Sequence, residues 1–192
     1  MFLNLNWDGN TIMRRVKLGD VFAFKTDRGY RIIQWAYHIE KYGKYIKVFP
    51  GFYNEKPIDL TTILHKKCSY IIVCNNISQL FRKGILEYWG SYDSSILEPF
   101  PTLDISFRKY DDRKLFLISN STRHQENEQY IGDSFDSAIP KKYKNVCMLN
   151  SRPHPIIFLY LLSSDFDLNH LDLYWPSDDE LELLKQKYSD LY

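Results

Sequence analysis

The stretch from Arg14 to His38 constrains the fold more than any other part of this chain, because it has the pattern of a β-hairpin. An apolar run at 21–24 and a second run at 30–38, rich in Ile, Trp and Tyr, flank the polar connection KTDRG. Two β-rich runs joined by a short glycine-containing loop predict an antiparallel strand pair. We therefore expect a sheet to form around this hairpin.

The Gly19-Asp20 pair stands just before the first of these runs, where a tight turn or a bulge is expected. An Asp next to Gly commonly accepts hydrogen bonds from the backbone donors of a turn. A catalytic or ligand carboxylate is the alternative, but the sequence shows no base, nucleophile or metal partner for it. We interpret Asp20 as the turn residue that sets the register of the sheet.

Further strand and short-helix patterns follow the hairpin as far as the polar tract STRHQENEQ at 121–129. The expected strands are 44–49, 69–74 and a second hairpin of 103–107 with 114–119, and Trp89 in the segment 85–92 is expected to be a core anchor. The expected helices are 60–66, capped by Asp59, and 77–83, capped by Asn76 and ended by Gly84. The polar tract predicts a boundary between a β-rich core at 1–120 and an extension at 121–192 that packs on the core without being an independent domain.

The extension contains two patterned segments. The apolar run 156–162, entered through Pro153 and Pro155, predicts a buried helix or strand. The motif Ser-Asp-Asp-Glu from Ser177 to Glu180 predicts a helix that begins with a capping box. The extension therefore contributes helix to a mostly β-rich chain.

Aromatic composition supports the same fold class. Of the 192 residues, 15 are Tyr and 12 are Phe, which favours strands over helices. The length suffices for one well-cored domain. We predict an α+β fold in which a strongly bent, mostly antiparallel β-sheet carries short helices and a C-terminal helical extension.

The cysteines and the apolar runs predict a cytoplasmic protein. Cys68, Cys74 and Cys147 are odd in number and lack the spacing of a disulfide framework or a zinc site, which fits a reducing compartment. The N-terminus does not have the pattern of a secretory signal, and the run 156–162 is too short to span a membrane. We expect no membrane association, no metal and no cofactor.

Two alternative functions rest on local clusters. A hydrolase site is conceivable around Arg123, His124, Glu126 and Glu128, although such residues in a polar loop are usually only solvated. Basic residues interleaved with aromatic ones between Arg28 and Lys47 suit a nucleic-acid-binding β-barrel module, yet the net charge of +1 gives no general support for nucleic acid as a partner.

The C-terminal end is strongly acidic. Residues 163–192 hold eight carboxylates against two lysines, a net charge of −6 that leaves +7 on the rest of the chain. A solvated helix surface accounts for such a run, and so does an interaction surface. The alternating carboxylates at 165–172 resemble a calcium loop but lack its glycine and its closing Glu.

A series of short motifs runs in a fixed order from Val16 to Ser119. The run KLGDVFAF at 17–24, with Gly19, Asp20 and Phe22, comes first and is followed by Gly29-Tyr30. The later motifs, in order, are DLTTIL at 59–64, YIIV at 70–73, Lys83-Gly84, Trp89-Gly90, EPFP at 98–101 and DDRKL at 111–115. This ordered series, which covers about half of the chain, resembles the immunity protein 26 family of bacterial polymorphic toxin systems.

The resemblance implies a protein that is not an enzyme and that neutralises a cognate toxin domain by direct contact. It brings no catalytic residues, and it implies structural roles for Gly19, Asp20, Phe22 and Trp89. An inhibitor of this kind commonly covers an active site with a charge-complementary surface. Since a nuclease cleft is basic, we expect the acidic end to form the contact, through Asp165, Asp167, Asp172, Asp178, Asp179 and Glu180.

Overall fold

The computed structural model describes nine segments of the chain. They are residues 14–39, 43–57, 59–92, 105–108, 114–118, 128–133, 148–149, 154–165 and 176–191. The strands are β1 (Asp20–Thr26), β2 (Gly29–Ile39), β3 (Gly43–Val48), β4 (Tyr70–Val73), β5 (Leu86–Ser91), β6 (Ile105–Arg108), β7 (Lys114–Ile118), β8 (Glu128–Asp133) and β9 (Met148–Leu149). The helices are α1 (Thr61–Leu64), α2 (Ile77–Arg82), α3 (Pro155–Ser163) and α4 (Asp178–Lys187), with a short 3-10 turn at Ser189–Leu191.

The described strands form one sheet in the order β5-β1-β2-β3-β4-β9-β6-β7-β8. The five strands from β5 to β4 are antiparallel throughout. The short strand β9 is parallel to both β4 and β6 and so joins this group to the antiparallel strands β6, β7 and β8. A mainly antiparallel sheet with a few short helices confirms the predicted α+β class.

The opening hairpin is confirmed and is tighter than its polar connection suggested. Strands β1 and β2 pair as far as Thr26 and Gly29, so the turn consists of Asp27 and Arg28 alone. The Thr26 hydroxyl donates a hydrogen bond of 2.7 Å to the Gly29 carbonyl. Gly29 has φ +114°, and a Cβ there would lie 2.8 Å from the backbone carbonyl oxygen of Tyr53, so the position requires glycine.

Each face of the antiparallel group carries its own apolar core. The first face packs against α2 and α3 through Phe22, Phe24, Ile33, Ile46 and Ile72. The second face packs against α1 through Val21, Ala23, Ile32, Phe49 and Trp89. Burial on both faces explains why β1 and β4 have continuous apolar runs in place of alternation.

The apolar run at 156–162 forms helix α3, and this settles the choice between helix and strand. Its residues from Pro155 to Leu159, with Leu161 and Leu162, are buried in the first core. His154 caps the helix and Pro155 stands in its first turn, where the missing N–H costs nothing. A helix that is apolar on nearly all sides needs such a covered position.

The sequence predicted which residues begin and end the short helices α1 and α2, and the structure agrees with only part of these predictions. Asp59 accepts a 2.8 Å hydrogen bond from the Thr61 amide, but Leu60 and not Asp59 stands at the N-cap, and α1 is shorter than the predicted helix 60–66. Gly84 follows α2 with φ +71°, in agreement with its predicted role at the C-terminus. Asn76 stands at the N-cap of α2 but makes no side-chain capping bond, because its ψ of 7° departs from the extended backbone that a capping side chain normally has.

Candidate functional site

The acidic turn of α4, which we define as Ser177 to Glu180, is exposed to solvent and fixed in shape. The Ser177 hydroxyl accepts a 3.3 Å bond from the Glu180 amide, and the Glu180 carboxylate accepts a 2.8 Å bond from the Ser177 amide. The predicted capping box is therefore confirmed. Asp178 and Asp179 lie between these two residues with exposed side chains, beside the positive end of the helix dipole.

Helix α4 is held on the body of the protein by one face. Leu181, Leu184 and Tyr188 are partly buried against the first core, and Leu191 beyond the helix is only 7% exposed. Burial raises the pKa of Tyr160 on α3, and the nearby Glu180 carboxylate raises it further. The acidic turn thus lies next to α3, on a helix whose position is fixed by packing.

Asp165, another of the predicted acidic contact residues, makes an ion pair with the opening hairpin. Its carboxylate pairs with the Arg28 guanidinium at 2.6 Å, which ties the end of the α3 region to the hairpin turn. Arg28 also lies over the Phe52 ring, 4.2 Å from its centre. Asp167 and Asp172 lie outside the described residues. Of the six acidic residues, the structure brings together Asp178, Asp179 and Glu180.

Gly19 and Asp20, two of the residues that carry the family resemblance, are held by hydrogen bonds to neighbouring parts of the fold. The Asp20 side chain is fully buried and accepts 2.9 Å hydrogen bonds from Arg14 and from the Lys17 amide. Gly19 donates to the Trp35 carbonyl at 2.8 Å and accepts from the Tyr92 amide at 3.0 Å. The pair therefore anchors β1 between β2 and the end of β5, as the sequence suggested. The expected bulge lies one step later, between Val21 and Phe22.

The two aromatic motif residues lie on opposite faces of the sheet. Phe22 is fully buried in the first core, where Phe81 and Tyr88 pack around it at ring separations of 5.5 and 6.1 Å. Trp89 is 6% exposed in the second core and contacts the Tyr30 ring at 5.1 Å. Both residues act as packing anchors.

Arg31 has a role that sequence reasoning missed. It is 4% exposed, and its guanidinium donates to the carbonyls of Leu162 and Ser164 at the end of α3. It also donates to the Phe49 and Gly51 carbonyls. Burial lowers the pKa of Arg31, although at neutral pH the group remains a cation. Cations favour helix C-termini, so Arg31 fixes α3 against the hairpin.

The basic and aromatic stretch from Arg28 to Lys47 does not form an open platform. Arg31, Tyr37, Tyr45 and Lys47 are buried. Lys44 lies 4.6 Å from the centre of the Trp35 ring and covers it. Lys41 and Tyr42 lie outside the described residues. Side chains in these positions leave little aromatic surface for stacking with bases.

The remaining sequence candidates can be placed only in part. Arg123, His124 and Glu126 lie outside the described residues. Within the described ranges, no three His, Cys, Asp or Glu residues are arranged to hold a metal ion. No helix in that part of the chain has the length and apolarity needed to cross a membrane.

Cys74 should resist alkylation in the native protein. Its side chain is buried directly after the end of β4, and this burial raises the pKa of its thiol to about 12. Since the thiolate is the reactive form, we expect iodoacetamide at about pH 8 to modify the half-buried Cys68 first and Cys74 only after unfolding. Peptide mass spectrometry measures both sites. Equal modification of the two cysteines in the native protein would contradict the buried position.

Comparison of the chain with protein-family models, with curated proteins and with solved structures found no match.

Proposed function

We propose that this chain is an immunity protein that binds a cognate bacterial toxin domain and neutralises it by direct contact. The observation that carries the proposal is the acidic turn of α4, where Asp178 and Asp179 are exposed on a helix held by a capping box and by core packing. The ordered motifs shared with the immunity protein 26 family supply the class of partner. In this proposal Gly19, Asp20, Phe22 and Trp89 build the scaffold and do not touch the toxin.

The acidic turn suits binding for two physical reasons. Complementary charge accelerates association and disfavours wrong partners. A turn that is already fixed loses little conformational freedom on binding, so less of the interaction energy is consumed by ordering. A basic cleft, such as the one in which a nuclease holds its substrate, would complement Asp178 and Asp179.

Charge reversal of Asp178 and Asp179 is the direct test. The double variant D178K/D179K should bind the toxin domain encoded beside this chain at least about tenfold more weakly and should protect cells less well. Glu180 is left unchanged because its carboxylate accepts bonds from the Ser177 amide and hydroxyl, and its loss would weaken the helix itself. Calorimetry gives the affinity, and a growth assay gives the protection.

A matched control separates a specific contact from a change in net charge. Asp27 and Glu55 are exposed acidic residues in other loops, so D27K/E55K alters the net charge by the same amount. This control should bind and protect like the wild type. Unchanged affinity and protection in D178K/D179K, or an equal loss in both double variants, would refute the acidic turn as the contact.

A further inference from the structure

Four cations lie on α2, contact it, or contact the aromatic residues that pack against it, and we call them the basic surface of α2: Arg14, Lys44, Arg82 and Lys83. All four carry positive charge at or near solvent, with Lys44 half-buried. Arg15 and Lys17, close to Arg14 in the chain, are exposed as well. The sequence from 60 to 86 contains no carboxylate, and Arg14 is paired with the buried Asp20 carboxylate at 2.9 Å. The four cations together with Asp20 therefore carry a net positive charge, although the whole chain is nearly neutral.

Contacts on one side of α2 connect Arg14 to this surface. The Arg14 guanidinium lies 4.1 Å from the centre of the Tyr88 ring. Tyr88 packs against Phe22, and Phe22 packs against Phe81, the residue before Arg82. Arg14, which precedes β1, and the cations of α2 therefore contact the same aromatic cluster from different sides.

Lys44 is connected to the same helix from the other side. Its ammonium donates a 2.9 Å hydrogen bond to the Ser78 hydroxyl, and the Arg82 Nε donates at 3.3 Å to the Ser78 carbonyl. The Lys44 backbone is fixed as well, since its amide donates to Asn75 and its carbonyl accepts from the Cys74 amide. Burial lowers the pKa of Lys44, a sign that its ammonium has already lost part of its hydration.

We propose that the basic surface of α2 binds an acidic polypeptide segment of a partner protein. Carboxylates form charge-assisted hydrogen bonds with guanidinium and ammonium groups. The surface does not include the acidic turn of α4, and the proposal does not depend on whether the partner is a toxin. It gives this chain a basic contact surface in addition to the acidic turn of α4.

The rings on this surface argue against nucleic acid as the partner. Single-stranded nucleic acids are bound by stacking bases on aromatic faces. Here Arg14 covers a face of Tyr88, and Lys44 covers a face of Trp35. Helix α2 has only six residues, which is short for reading a duplex groove. The net charge of −6 at 163–192 would also repel a long polyanion, whereas a short acidic segment meets mainly the local charge.

A fluorescein-labelled oligoglutamate of about ten residues serves as the probe, with binding followed by fluorescence anisotropy at about 50 mM salt. We expect the full chain to bind it and R82E/K83E to bind it at least about tenfold more weakly. The variant K66E/K67E is the matched control, because Lys66 and Lys67 are an exposed pair that follows α1 and lies outside the basic surface. It should bind like the wild type. Circular dichroism verifies the fold, and R82Q/K83Q replaces the first variant if that one does not fold.

Three results would overturn the proposal. The first is no binding of oligoglutamate by the full chain at low salt. The second is an equal loss of oligoglutamate affinity in R82E/K83E and in the control K66E/K67E. The third is tighter binding of an oligothymidine probe than of oligoglutamate. Since the assay contains no toxin, its failure leaves the proposed function standing. Likewise, loss of the toxin contact in the test above leaves this surface untouched.

Discussion

Replacing Asp20 with Ala should lower the free energy of unfolding by about 3 kcal/mol. The Asp20 carboxylate is fully buried and accepts one hydrogen bond from the Arg14 guanidinium and one from the Lys17 amide, both at 2.9 Å. Hydrogen bonds to a charged group contribute about 1.5–3 kcal/mol each, and the amide would be left without its acceptor. Urea denaturation followed by Trp fluorescence measures the loss.

Two further variants identify the cause of that loss. Asp20→Asn keeps the shape and one acceptor but removes the charge, so we expect a cost of about 1–2 kcal/mol. Arg14→Met leaves a buried carboxylate with the Lys17 amide as its remaining partner, and it should destabilise the protein too. In a double-mutant cycle the two changes should be strongly non-additive. A cost below about 0.5 kcal/mol for Asp20→Ala would contradict a structural role, since only a solvated carboxylate is removed so cheaply.

The features that the sequence predicted correctly depend on neighbouring residues. The hairpin follows from two apolar runs and a turn, and the capping box of α4 follows from Ser177 and Glu180 three positions apart. The exposed acidic turn of the candidate site could therefore be predicted from the chain alone. Gly84 at the end of α2 belongs to the same group, because a positive φ strongly favours glycine.

The features that the sequence did not predict depend on distant residues. The partners of Arg31 at Leu162 and Ser164 are more than 130 positions away, so no local pattern distinguishes Arg31 from an exposed basic residue. Strand β8 includes the polar residues Glu128 and Gln129, which resemble a loop in sequence and become a strand through pairing with β7. Propensity is a weak guide where pairing or burial decides the conformation.

Replacing Arg31 with Met should lower the free energy of unfolding by about 3–5 kcal/mol, the largest effect that we expect from a single substitution here. Met has a similar apolar stem, so the volume is roughly kept while the guanidinium is lost. The buried carbonyls of Leu162 and Phe49 then lose this donor, and a buried acceptor left unsatisfied costs about 1–3 kcal/mol; the partly buried carbonyls of Ser164 and Gly51 lose it as well, at a smaller cost. Arg31→Lys should be intermediate, because one ammonium group cannot replace the fork of the guanidinium.

Arg28 provides the control, since its guanidinium lies over the same Phe52 ring as that of Arg31 but is half-exposed. Its ion pair with Asp165 is screened by solvent, so Arg28→Met should cost less than about 1 kcal/mol. Comparing the two variants therefore separates the contribution of stacking on Phe52 from that of the hydrogen bonds between Arg31 and the end of α3. Hydrogen exchange adds a local measure, because loss of the Arg31 hydrogen bonds should speed the exchange of amides near the end of α3. The opposite result is that Arg31→Met and Arg28→Met lower the free energy of unfolding equally and the amides of α3 stay protected from exchange. In that case the Arg31 hydrogen bonds do not hold the helix, and the apolar burial of α3 alone fixes its position.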